Sequence, residues 1–382
     1  MLFPVFPPRF GLTMPRTDAA PPTRLTPLRA RCLLAAWLAL AALLVGISLS
    51  PMRRGAAGGP RRGPGDVALY NAEIDRIRAG QGYYAAAAAE LRPRGYPTRS
   101  VFNWRTPLPM WLIGRLPSNA WAQALLGSLC LAVLLMSYEW LARETTTKRA
   151  VGCSLLLLGA LLPCLLRGGL FAMPELWSGT LIALSMAAYA LQRRKLGLGA
   201  GIAALFFREL AAPYCLVALL LSVRERRWRE CLAWLVGLAA YAAFYAQHAA
   251  TVLAMLGPDE VAHPQGWVRF GGAAFVLSTV QMNAWLLILP QWVAALYFAL
   301  AMLGLAGWKS AAGQRPGLTV CLYVAAFGIV GQPFNQYWGC LFAPLLCFGT
   351  AAAPAALAEL WKAAELRIAW RTRAASGDSR VV

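Results

Sequence analysis

Histidine is almost missing from this chain: His248 and His263 are the only two in 382 residues, too few for a histidine-based metal site. Charge is scarce as well. Only 14% of the residues are Asp, Glu, Lys or Arg, against about 25% in a soluble domain, while 59% are hydrophobic. A water-soluble core cannot absorb that much apolar surface, which removes the soluble globular classes. The nine cysteines offer no C-x-x-C pair and no cluster within a loop, so zinc knuckles and disulfide scaffolds drop out and small buried hydrophobes remain. No internal repeat is visible, which counts against the inverted-repeat transporters. No cleavable leader is expected: the first strong apolar run begins near Cys32 and is predicted to be a retained span.

What the chain has in abundance is long apolar sequence. Residues 32–50 and 150–166 carry no charge and approach the roughly 20 residues a helix needs to cross hydrocarbon. The bilayer is the expected solvent. Lys and Arg outnumber Asp and Glu by 36 to 16, for a net charge of +20. They fall in short clusters between apolar runs, such as Arg193, Arg194 and Lys195, then Arg224, Arg226, Arg227 and Arg229. Cytoplasmic turns of a membrane protein carry that pattern, whereas a nucleic-acid binder concentrates its basic residues on one polar face. No nucleic-acid partner is predicted; membrane lipids are.

Taking the apolar runs in order and placing basic turns inside gives an all-α polytopic fold of about ten spans, with both termini in the cytoplasm. Residues 1–30 form an unstructured cytoplasmic tail in this reading, 31–366 the transmembrane domain and 367–382 a basic cytoplasmic tail. Two long segments lie outside, 51–118 and 249–285. The run 197–223 is interrupted by Arg208 and Glu209. One helix would bury both charges near the bilayer centre, at about 2.5–3.5 kcal/mol each. Two short spans meeting at an outer turn avoid that cost. The run 273–289 is predicted to be interfacial or re-entrant, because a crossing there would put the basic turn 309–315 outside; Gln281 and Asn283 then face polar surroundings.

With this topology, Asp66, Glu73, Asp75, Arg105, Arg167, Glu175, Arg208 and Glu209 all come out on the external side, joined by Asn335, Gln336 and Tyr337. Charges close to hydrocarbon are costly and usually line a site or pathway. Asp66 opens a segment in which Val67, Tyr70, Ile74 and Ile77 recur at helical spacing, with Asp66, Glu73 and Arg76 on other faces; a short amphipathic helix on the membrane surface fits. Asp66 can cap that helix, face a substrate, or do both. Tyr83 and Tyr84 can anchor at the interface or stack on a sugar. Arg105 carries the planar fork that suits a phosphate. Glu175 and Arg208 can pair to join two hairpins, or can hold an anionic headgroup between them with Glu209.

This layout resembles the GT-C fold of integral membrane glycosyltransferases, which includes protein mannosyltransferases and aminoarabinose transferases. The resemblance rests on a first span followed by an external loop with an acid (Asp66), surface helices, the Gly80, Gly82, Tyr83, Tyr84 element, the stretch Arg105, Thr106, Pro107, Leu108, Pro109, and short hairpins with Pro174, Glu175 and Arg208, Glu209. It covers roughly residues 31–229. One departure is that several such families place paired acids at the end of span one, where this chain has a single, displaced Asp66. The resemblance implies a sugar donor on a polyprenyl phosphate and an inverting transfer to an acceptor hydroxyl on the external face of an inner (plasma) membrane of bacterial type. Asp66 would be the catalytic base. Arg208, with Arg105 or Arg167, would bind the donor phosphate, and Glu73, Tyr83, Tyr84, Glu175, Glu209, Asn335 and Tyr337 would contact substrate. No residue is assigned to a metal, although the acids are compatible with a divalent cation. The competing readings are a lipid or sugar transporter and a non-catalytic membrane scaffold.

Overall fold

The computed structural model describes residues 25–50, 65–161, 169–262 and 269–366. Among these every regular element is a helix. In chain order they are α1 (Pro27–Leu49), α2 (Gly65–Arg78), α3 (Tyr83–Leu91), α4 (Pro107–Arg115), α5 (Asn119–Glu144), α6 (Thr147–Leu161), α7 (Pro174–Ala190) and α8 (Arg194–Phe207). There follow α9 (Ala212–Arg224), α10 (Trp228–Met255), α11 (Gly272–Val280), α12 (Ala284–Leu287), α13 (Gln291–Gly307), α14 (Ala311–Ile329) and α15 (Ala343–Ala363). Short 3-10 turns lie at Val101–Asn103, Leu170–Ala172, Glu209–Ala211 and Pro333–Leu341. Both predicted tails fall almost wholly outside the described residues, as does Arg167.

Among the described residues, three helices, α1, α5 and α15, are long and apolar enough to cross a membrane, spanning about 30–40 Å at 1.5 Å per residue. Helix α7 is buried along its whole length from Pro174 to Tyr189, as a helix that is hydrophobic all round must be. Small residues let its neighbours approach. A methyl group on Gly179 would collide with the Cys340 carbonyl, so the 3-10 turn Pro333–Leu341 lies directly on the N-terminal half of α7. In the same way α13 and α15 meet at Gly304 and Gly349, where any side chain would strike the other helix's backbone; close backbone contact of this kind is how helices associate where no hydrophobic effect drives them.

The helix ends gather at two polar levels. At one, Glu144 accepts from Trp308 Nε1 (2.8 Å) and Ser310 Oγ (3.0 Å), Lys309 pairs with Glu359 at 2.8 Å, Arg194 reaches Glu225 and Glu230, and Arg31 Nε donates to the Ala364 carbonyl at 2.9 Å. These are the turns assigned to the inside from charge. At the other level, the Arg92 side chain pairs with Glu260 at 2.7 Å and the Arg99 N–H donates to the Val261 carbonyl at 3.1 Å, joining the two segments assigned to the outside.

The 197–223 run does break where its charges stand. Helix α8 stops at Arg208, which is extended (φ −154, ψ 122), and α9 starts after the turn Glu209–Ala211. The 273–289 run divides into α11 and α12, each too short to cross hydrocarbon.

Several expectations need correction. Asn283 does not face polar surroundings: it is 1% exposed, its Nδ2 donates to the Leu156 carbonyl at 3.0 Å and its Oδ1 caps α12 through the Trp285 N–H at 3.1 Å. Arg315 is not in a basic turn but inside α14, buried with its guanidinium 3.8 Å from the Tyr189 ring centre, a cation over an aromatic face. The external segment expected from residue 249 begins later, since α10 continues to Met255. Finally, α2 presents Leu69, Tyr70, Glu73, Ile74 and Ile77 as its buried face, and that face packs on α3 and α4. Gly114 of α4 admits Ile77 so closely that a β-carbon there would lie 2.8 Å from its Cβ. Glu73, read as part of a polar face, is therefore in the middle of the apolar one.

Candidate functional site

Gly65, with φ +77, turns the chain into α2 in a left-handed conformation that favours glycine. Asp66 follows in the first helical turn, where the exposed backbone N–H groups favour a carboxylate. Tyr96 donates its hydroxyl to Asp66 Oδ1 at 2.9 Å. One turn on, Tyr70 is buried, and its hydroxyl accepts from Arg105 Nε at 2.7 Å.

Arg105 is the hub. Its Nη1 donates to the Phe102 carbonyl (3.2 Å) and its Nη2 to the Tyr337 hydroxyl (3.1 Å), which in turn donates to Asn335 Oδ1 at 3.2 Å. The bonds link α2, the turn after Ser100 and the segment Pro333–Leu341. All the partners of this guanidinium are neutral oxygens, and it forms no ion pair with a described residue.

A second layer fixes the backbone of Arg105. Tyr83 donates its hydroxyl to the Arg105 carbonyl, and Trp104 Nε1 donates to the Thr98 carbonyl at 2.9 Å. His248 of α10 lies 3.1 Å from both the Trp104 carbonyl (Nε2) and the Tyr84 hydroxyl (Nδ1). Because a carbonyl can only accept, the network assigns the proton to Nε2 and makes Nδ1 the acceptor for Tyr84. Tyr83 and Tyr84, expected as substrate contacts, thus face inward and support the Arg105 loop.

Arg208 differs from Arg105. It is 3% exposed, its Nε donates to Glu175 Oε1 at 2.7 Å, and its Nη1 pairs with Glu209. Glu175, in the first turn of α7 behind Pro174, is fully buried. Burial pushes the Glu209 carboxyl up, but Arg208 and Arg105 outweigh that and leave it below the usual carboxylate range. This guanidinium is already compensated, so the hairpin-joining alternative for Glu175 and Arg208 is realised in the fold.

The two groups adjoin. Asp66 and Glu175 are both close enough to act electrostatically on Tyr70 and Tyr337, and Glu175 and Glu209 act on Arg105. Of the residues predicted from sequence, Asp66, Arg105, Glu175, Arg208, Glu209, Asn335 and Tyr337 are brought together. Within this cluster, Glu175 Oε2 and Asn335 Nδ2 are buried with no hydrogen-bond partner among the described residues. One is an acceptor and the other a donor, and a hydroxyl group can satisfy both kinds at once. Among the described residues, no group of three or more His, Cys, Asp or Glu is placed to hold a metal ion.

Glu73 stands apart from the cluster beneath Arg105. Burial pushes its carboxyl up to about 8, against the opposing pull of Arg105 and Arg94. A carboxyl that holds its proton longer when folded stabilises the protein most below its unfolded value near 4.3, and that contribution is lost as pH rises towards 8. Glu73→Gln is therefore expected to raise the melting temperature above that of the parent by several degrees at pH 8, with the gap closing towards pH 5. Thermal melts in detergent across that range would show it; a constant gap would mean that Glu73 is ionised in the fold.

Sequence reasoning passed over Tyr70, Tyr96 and His248. Tyr70 was visible only as one of the apolar positions of α2, and nothing in the sequence connects it with an arginine 35 residues away. No protein family, curated protein or solved structure matches this chain.

Proposed function

We propose that the chain is an integral membrane glycosyltransferase that takes a sugar from a polyprenyl-phosphate donor to an acceptor hydroxyl at the external face of an inner membrane. In this reading ten helices, α1, α5 to α10 and α13 to α15, cross the bilayer, and the Asp66 to Tyr337 cluster opens to the outer leaflet. The observation that carries it is Arg105: a guanidinium held by Tyr70 and Tyr337, with no ion-paired carboxylate among the described residues, its two tyrosines within the field of Asp66, and two unsatisfied buried groups in the same cluster. An anion supplies what that arrangement lacks, and a hydroxylated ring suits the rest.

The chemistry then follows. Asp66, oriented by Tyr96, takes the proton of the acceptor hydroxyl; the oxygen attacks the anomeric carbon from the face opposite the phosphate. The bond between that carbon and the phosphate oxygen breaks, and its electron pair leaves on the lipid phosphate. Arg105 stabilises the charge developing there, a task a preorganised cation performs without reorganising. Asn335 and Glu175 hold sugar hydroxyls, while Arg208 keeps Glu175 and Glu209 in place. The order of the two arginines thus reverses the sequence-based expectation, which put Arg208 first.

Arg105→Ala is expected to lower kcat/KM for a radiolabelled polyprenyl-phosphate sugar by about 10²–10³. Arg105→Lys should recover only part of it, because an ammonium keeps the charge but not the paired donors. Purified protein in detergent, assayed with a panel of such donors, provides the measurement; an unchanged rate in Arg105→Ala would remove the phosphate from this position.

A further inference from the structure

Glu260 stands in the segment after α10, which ends at Met255, and its carboxylate grips the loop that follows α3 in two places. Oε1 accepts from Arg92 Nε at 3.0 Å and from Arg92 Nη2 at 2.7 Å, while Oε2 accepts from the Thr98 hydroxyl. Arg92 is fixed further, because its Nη2 also donates to the Met255 carbonyl at 2.9 Å. Two acceptor oxygens on one group make this double hold possible, and the carboxylate is only 8% exposed. A single side chain thus pins both ends of the loop 92–98 from at least 162 residues away in sequence.

The pinned loop is bonded to both halves of the cluster. Between the pins the chain turns at Gly95, whose φ of +68 suits glycine, and the turn presents Tyr96, the residue that donates to Asp66 Oδ1 at 2.9 Å. At the second pin the Thr98 carbonyl accepts from Trp104 Nε1 at 2.9 Å, and Trp104 is the chain neighbour of Arg105. Asn103 ties the same two strands of the loop by donating from Nδ2 to the Pro97 carbonyl. Thr98 and Trp104 are each 2% exposed, so a shift at Thr98 passes to Arg105 through packed groups, which have little room to absorb it.

We infer that Glu260 is a positioning residue for the transfer reaction, holding the 92–98 loop at both ends so that Tyr96 sets the Asp66 carboxylate and Thr98 sets the Arg105 guanidinium. It acts only through the loop. The inference rests on the roles proposed above for Asp66 and Arg105, and it adds that the base and the phosphate-binding cation share one mechanical support.

The test pairs steady-state transfer by the full chain in detergent, from a labelled polyprenyl-phosphate sugar, with hydrogen-exchange mass spectrometry of residues 92–105. Glu260→Ala should lower kcat/KM about hundredfold, the cost of displacing reacting groups by about 1 Å, with kcat falling and donor KM rising together. A mere loss of folded protein would lower the maximal rate alone. Glu260→Gln keeps an acceptor oxygen, and a neutral hydrogen bond has about half the strength of a charge-assisted one, so it should lose only about tenfold. Thr98→Val removes one grip and leaves the Arg92 pair, so it should shift both constants in the same direction even where Glu260→Ala folds poorly. Exchange at 92–105 should quicken in each variant and stay parental in α5 and α15. Parental exchange in that loop, parental kinetics in Glu260→Ala and Thr98→Val, or a loss in Glu260→Gln as deep as in Glu260→Ala would overturn the assignment. A parent that transfers no sugar would defeat the transfer reading, and the exchange data would then decide alone whether Glu260 holds the loop.

Discussion

Asp66→Asn is expected to reduce sugar transfer about a thousandfold while the protein still folds and inserts. The size follows from the loss of a positioned general base, worth about 10²–10⁴ in rate. The selectivity follows from shape, because an asparagine oxygen can still accept from Tyr96, the bond that ties Asp66 Oδ1 at 2.9 Å. Donor binding should change little, as the phosphate is assigned to Arg105. Single-turnover rates with labelled donor, together with a thermal melt, separate the two effects. Transfer at the parental rate in the variant would move the base elsewhere and return Asp66 to its other role, stabilising the start of α2.

Arg208→Ala should do something different in kind. It leaves Glu175 fully buried without its direct ion-pair partner, and breaking a buried pair by removing one partner costs about 3–5 kcal/mol. That is a large share of a typical folding free energy, so the variant should be recovered in poor yield with a melting temperature well below the parent's. Adding Glu175→Gln should recover part of the loss, because an amide needs no counter-ion, and that partial rescue marks a structural pair. If Arg208→Ala instead melts with the parent and loses only donor affinity, then the guanidinium binds ligand and the assignment of Arg105 as the phosphate group fails.

Much of the Arg105–Arg208 cluster was legible because charge interrupting an apolar run has few physical explanations. Arg208 and Glu209 sit in the middle of a run that could not stay one helix, and the chain does bend there. Glu175 was equally visible, one residue past a proline that starts a helix. What could not be read was the direction a polar side chain takes once the helices pack. Glu73, Asn283 and Arg315 were placed in polar surroundings because polar residues usually are exposed, yet each is buried, and the groups around it belong to distant segments: Arg105 acts on Glu73, the Leu156 carbonyl accepts from Asn283, and the Tyr189 ring lies under Arg315. The same limit explains Tyr83 and Tyr84. Paired tyrosines near a membrane suggest an interface, and only the fold reveals that their hydroxyls reach the Arg105 loop and His248.

The bond between Arg105 and Tyr337 spans 232 residues of sequence. While the chain is being synthesised, Arg105 is made long before Tyr337 leaves the ribosome, so the guanidinium must wait for this partner until the C-terminal segment has joined the fold. If the cluster is the proposed transfer site, a product cut short before residue 337 lacks Tyr337 and should show no sugar transfer.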